Sequence, residues 1–182
     1  HAAQETAAPG ATRYQYTAAD IRFMQDMIEH HSQAIRMSGW AASHAADPAI
    51  QRLASRIING QQDEIAGMRQ WLEDRGQTSV RQHPSDMVMN GGEHEMLMPG
   101  MLSQAQLAQL EQARGSAFDS LFLAYMIQHH RGAITMVEAL LSTQGALQDQ
   151  AAFKIASDIN ADQSTEIARM QQMLSALRAK RP

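Results

Sequence analysis

Two stretches of this chain carry the same chemically capable residues at the same spacing. Asp20, Phe23, Met27, Ile28, His30, His31, Ala34, Ile35 and Met37 recur as Asp119, Phe122, Met126, Ile127, His129, His130, Ala133, Ile134 and Met136. Nine of the eighteen positions from 20 to 37 are repeated, where average usage gives roughly one by chance. Adjacent histidines flanked by methionines are borderline and soft donors, a set that suits Cu(I) and, by similar softness, Ag(I). The repeated chemistry therefore points to a metal site as much as to a fold.

Neighbouring residues on a helix diverge by about 100°, so His30 and His31 are not expected to grip one ion together. Each can pair with a residue three or four positions away, or across a helix interface. Met27, Met37, Met126 and Met136 are the candidate thioethers for His30, His31, His129 and His130. The same methionines can equally be core filler. Buried imidazoles need partners, and these are visible: Gln61 and Glu64 share a face with Ile57 and Met68, as Gln163 and Glu166 do with Ile159 and Met170. A His–Glu pair can be a structural contact or a carboxylate that orients a metal-bound histidine. Asp20 and Asp119 fall where a carboxylate caps a helix. His44 is expected to cap carbonyls at the end of its own helix, and His1 stands alone.

A second cluster lies between the repeats. His83, Met87, Met89, His94, Met96, Met98 and Met101 sit in a stretch with no helical or strand period. Such a loop can fold around a soft ion, or drape over one end of the molecule.

The elements that position these residues follow from start signals and periodicity. Thr17 and Asp20 form a capping-box start, which Ser116 and Asp119 repeat. Those two helices are expected to run to about residues 43 and 142. Asp47-Pro48 and Asp149 start a second helix in each half, and Gly76 stops the first of these. Ser103 starts a short helix to about Ala113. The expected fold is all-α: two helical hairpins packed with pseudo-twofold symmetry as a four-helix bundle. A flexible segment covers 1–16 and one domain 17–182, divided into repeat one (17–76), linker and short helix (77–115) and repeat two (116–180).

Composition narrows the class. The 182 residues include 13 methionines and no cysteine, with net charge −4 and no basic stripe. That disfavours nucleic acid as a partner, and no apolar run is long enough to span a membrane. Absent cysteine and a start such as HAAQETAAPGATR fit an exported protein, periplasmic or otherwise extracytoplasmic. The chain lacks E-x-x-H, H-E-x-x-H, a nucleophile elbow and a phosphate-cradling glycine loop. No catalytic turnover is expected.

The D-x-x-F-x-x-x-M-I-x-H-H-x-x-A-I-x-M pattern, its repetition, and M-P-G-M-L-S-x-x-Q-L from Met98 to Leu107 resemble the bacterial "domain of unknown function 305" family. The resemblance covers about Ala18 to Leu177. It implies a ferritin-like, up-and-down four-helix bundle, usually exported, with some members linked to copper or silver binding and tolerance. The expected role is a carrier that sequesters or delivers Cu(I), and Ag(I), to other copper-handling proteins. The alternatives are a ferritin-like metal-dependent oxidase, or a non-catalytic module whose His/Glu network only specifies packing.

Overall fold

Thr17 starts the first helix through a reciprocal cap: Asp20 N–H donates to Thr17 Oγ1 (3.3 Å) and Thr17 N–H donates to Asp20 Oδ2 (2.8 Å). A computed structural model describes residues 15–81 and 97–180. The helices are α1 (Ala18–Gly39), α2 (Ala41–His44), α3 (Pro48–Glu73), α4 (Gln104–Gln112), α5 (Gly115–Leu141) and α6 (Gln150–Ala179). The expected first helix is broken into α1 and α2 at Trp40, just after the weak helix formers Ser38 and Gly39. Its counterpart α5 runs unbroken.

Each long second helix is started by an aspartate. Asp47 accepts from Ala49 N–H (2.8 Å) with Pro48 at the first helical position, and Asp149 accepts from Ala151 N–H (3.1 Å). Beyond α3, Gly76 N–H donates to Glu73 O and Gln77 N–H to Leu72 O, both at 2.9 Å, with Gly76 at φ +64°. That left-handed turn satisfies the last carbonyls of the helix. Ser103 starts α4 as expected, and with Gln106 it closes a capping box there.

The Ser116–Asp119 cap does not form; α5 begins at Gly115 without a side-chain cap. Asp119 reaches instead to the loop of the first hairpin, accepting from Ala46 N–H (3.1 Å) and Asp47 N–H (3.0 Å). Asp20 does the reciprocal, accepting from Leu147 N–H (2.9 Å) in the loop of the second hairpin. Leu147 holds φ +56°, a left-handed conformation that favours glycine. Each motif aspartate thus clasps the other repeat. Replacing Asp119 with alanine strands two amide donors, so a loss of about 2–3 kcal/mol is expected from urea unfolding. A loss below about 0.5 kcal/mol, the ordinary range for a surface change, would show the clasp to be idle.

The packing follows the duplication. α1 lies on α3 and α5 on α6, and the hairpins join chiefly through α1 and α5. The core has two apolar clusters. One holds Met37, Leu53, Ile57, Phe118, Phe122 and Met126; the other holds Phe23, Met27, Ile65, Met68, Val137 and Ile159. Along every long helix these clusters are separated by buried polar residues: His30 and His31, Gln61, His129 and His130, and Gln163.

Candidate metal centre

That polar layer sits on the pseudo-twofold axis, and all four repeated histidines in it are fully buried. Within each helix the adjacent rings stay 6.4 Å apart, centroid to centroid. Across the axis His30 and His129 come together, with centroids 3.9 Å apart and planes inclined by 38°. Residues one repeat apart therefore meet, and residues one position apart do not.

His31 and His130 turn towards the second helices. His31 Nε2 lies 2.5 Å from Glu64 Oε2, and His130 Nε2 is paired with Glu166 Oε2. His30 Nε2 lies 2.9 Å from the Pro99 carbonyl oxygen. A carbonyl only accepts, so His30 carries its proton on Nε2 and Nδ1 is a bare lone pair. Nδ1 of His30, His31 and His130, both nitrogens of His129, and polar atoms of Gln61 and Gln163 have no hydrogen-bond partner. A buried layer with so many unpartnered atoms is unusual in a native core. At its outer edge lies a cavity of about 160 Å³ between α3 and α6, lined by Glu64, Asp162 and Glu166.

Burial keeps the imidazoles of His30, His31 and His129 neutral. It pulls His30 and His31 down to about 3, with neighbouring histidines acting in the same sense, and His129 is also lowered well below its usual value. Burial pushes the Glu64 carboxyl up to about 7, helped by the nearby Glu166 charge. Two protonation states of the His31–Glu64 pair follow. Below about pH 7 the Glu64 carboxyl O–H donates to His31 Nε2. Above it, His31 donates Nε2–H to the carboxylate and presents a free lone pair at Nδ1.

The methionines of the motif sit in the apolar clusters beside this layer. Met37 and Met126 are buried in one, Met27 in the other, and Met136 packs partly buried against the second. Met98 and Met101 are partly buried in the turn that delivers the Pro99 carbonyl to His30. His83, Met87, Met89, His94, Met96 and His1 lie outside the described residues. His44 does not cap its own helix: its Nε2–H donates to Glu111 O at the end of α4 (2.8 Å), and its Nδ1 lies 2.7 Å from Ser43 Oγ. Among the described residues no three His, Asp or Glu side chains converge as a ready-made metal site.

Sequence reasoning missed the seat of the Met98–Leu102 turn. Gln33 clamps it from α1, donating from Nε2 to Leu102 O (3.1 Å) and accepting from Leu102 N–H at Oε1 (2.7 Å). The equivalent position on α5 is Gly132, where the Pro99–Gly100 backbone lies so close that no Cβ fits. A glycine inside a strongly helical repeat was the available signal.

The fold and its histidine layer define a ferritin-like, all-helical bundle built from two repeated hairpins. The chain belongs to the DUF305 family (domain of unknown function), whose family model matches residues 20–174. A DUF305 protein of Streptomyces coelicolor, described as secreted, superposes with a TM-score of 0.73 at 26% identity, covering 87% of this chain and 92% of that one. CopM in its Cu(I)-bound form superposes with a TM-score of 0.66 at 27% identity, covering 86% and 96%. CopM is also known in Cu(II)-bound, silver-bound and apo forms. The uncharacterized protein L153 of Acanthamoeba polyphaga mimivirus is 43% identical over 65 residues, 36% of this chain. The matched stretch spans 43% of the length of that relative. Among the described residues no helix is long and apolar enough to cross a membrane.

Proposed function

We propose that this protein binds Cu(I), and Ag(I) by the same softness, in an extracytoplasmic compartment, holding the ion for sequestration or delivery without turnover. The observation that carries this reading is the His30–His129 pair: neutral, fully buried and across the axis, with the His30 proton committed to Pro99 and Nδ1 left as a lone pair. A histidine that donates its other nitrogen to a carbonyl is the arrangement that presents a fixed lone pair to a metal. Two imidazoles suffice for the low coordination numbers that soft monovalent ions accept, and thioethers of Met98 and Met101 lie in the adjoining turn. The copper and silver complexes of CopM support the choice of ion, and the secreted relative and absent cysteine support the compartment.

The test is an anaerobic Cu(I) titration against a chromophoric competitor. The wild-type chain is expected to take up at least one ion, and His30→Leu/His129→Leu to weaken binding by about tenfold or more, which is about 1.4 kcal/mol. No uptake by the wild type, or unchanged affinity in the double variant with Met98→Leu and Met101→Leu added, would sink the proposal. The two His–Glu pairs favour one competing reading, a network that only specifies packing. Under that reading Cu(I) leaves the melting temperature unchanged, whereas an ion bound to the folded state raises it.

A further inference from the structure

The two ends of the α3–α6 pair are related by the pseudo-twofold axis, with an offset of 102 residues between equivalent positions (Asp47 and Asp149), yet they are built differently. At the end where α6 starts, Trp71 Nε1–H donates to Asp149 Oδ2 (2.7 Å) and Arg75 pairs with the same carboxylate. Lys154 and Asp158 neutralise each other one turn apart at 2.5 Å. That end is closed and its charges are matched.

At the end where α3 starts, Asp47 keeps the aspartate but each of its four neighbours is replaced. Met173 and Leu177 stand where Trp71 and Arg75 would, and among the described residues no α6 side chain hydrogen-bonds to Asp47. Arg52 and Arg56 stand at the positions of Lys154 and Asp158, turning an ion pair into two like charges. Arg169 stands at the position of Gly67. The result is an open groove of about 800 Å³ with Arg52, Arg56 and Ser55 on one wall and Arg169 and Met173 on the other. All three arginines are exposed, and none makes an ion pair or hydrogen bond among the described residues.

This arrangement costs the free protein something and returns nothing to its fold. Like charges at i and i+4 disfavour a helix, and a third guanidinium faces them in a chain whose net charge is −4. The first turn of α3, at Pro48 and Ala49, forms the floor of the same groove, its Ala49 N–H already held by the Asp47 carboxylate, so the arginines carry the positive charge. The guanidinium fork matches the paired oxygens of phosphate and carboxylate groups. The groove also limits its ligand. Two turns further along α3 the lining changes sign at Glu64, Asp162 and Glu166, so an extended acidic chain running along the helices would meet repulsion. A compact anion fits, with oxygens on opposite sides for the two walls.

We propose that the groove between the start of α3 and the end of α6 binds a compact multivalent oxyanion, of the diphosphate or tricarboxylate class. The site is separate from the histidine layer and stands whether or not copper binds there.

The test uses the full-length metal-free protein in calorimetric and thermal-melt titrations with inorganic pyrophosphate and with citrate, against sodium chloride at matched ionic strength. Pyrophosphate, citrate or both are expected to bind with about one ligand per chain and to raise the melting temperature more than the salt control does. Which of them binds assigns the chemical class. Arg52→Gln/Arg169→Gln is expected to weaken binding by about tenfold or more, while Lys154→Gln at the equivalent closed end leaves it unchanged. Arg56→Gln should leave the anion-free melting temperature unchanged or higher, because it relieves repulsion. The proposal is overturned if neither anion exceeds the salt control, if the double variant binds as well as wild type, or if Lys154→Gln weakens binding equally.

Discussion

Acidification from pH 6.5 to pH 5 is expected to lower the unfolding free energy by about 3 kcal/mol, read from urea midpoints across that range. The sign follows from the buried layer. His30 and His31 titrate near 3 in the folded chain against an ordinary value of 6.5, and His129 is also lowered well below 6.5. Groups depressed in this way stabilise the fold above their unfolded value and lose that contribution as pH falls. Each proton taken up only by the unfolded chain costs about 1.4 kcal/mol per pH unit. Glu64 acts in the opposite sense: raised to about 7 from 4.5, it favours the fold at low pH and loses that contribution as pH rises through 7. Asp119 and Asp162, also raised, share its sign. Three histidines outweigh Glu64 between pH 5 and 6.5, leaving a net uptake on unfolding of one to two protons. Stability that stays flat to pH 5 would mean that the layer is hydrated and its imidazoles charged.

The second large effect is at Gly132. A Cβ there would lie 2.6 Å from Gly100 Cα and closer still to the Pro99 carbonyl, and both obstacles are backbone. Gly132→Ala therefore has to lift the Met98–Leu102 turn off α5. The lift would break the Pro99 bond to His30, loosen the Gln33 clamp and expose Leu102, now only 1% accessible. Overpacking costs about 1–3 kcal/mol, and a stranded His30 donor adds about 1–3 kcal/mol. Better helix propensity returns at most about 1 kcal/mol. The net loss expected in denaturant unfolding is about 2–4 kcal/mol. Gly67→Ala on α3, where the added Cβ meets nothing within 4 Å, is the matched control and should stabilise by about 0.5–1 kcal/mol. Equal behaviour of the two variants would remove the turn from the site.

The bundle and its duplication were readable because they are written in local signals. Thr17, Asp47, Ser103 and Asp149 are caps with nearby partners, and the repeated motif fixes which face of α1 and α5 is buried. The layer of Gln61, Glu64, Gln163 and Glu166 opposite the histidines was readable for the same reason. Periodicity stops at the face, however. It does not say that His30 meets His129 while His31 and His130 turn to glutamates, because that depends on how α1 crosses α5. Asp119 shows the same boundary: its local spacing suits a cap, but two amides in the first hairpin compete for it and win. The asymmetry of Trp71 and Arg75 against Met173 and Leu177 becomes meaningful only once α3 and α6 lie antiparallel.

The aspartate clasp also sets an order of assembly. The pairs His31–Glu64 and His130–Glu166 join residues 33 and 36 apart in the chain, inside one hairpin. Asp119 to Asp47 spans 72 residues and Asp20 to Leu147 spans 127. Short loops close first because closure entropy grows with length. Each hairpin can collapse on its own local contacts, but its loop is fixed only when the other hairpin arrives. Neither half is a finished folding unit, and the His30–His129 pair comes into being in the docking step that completes both.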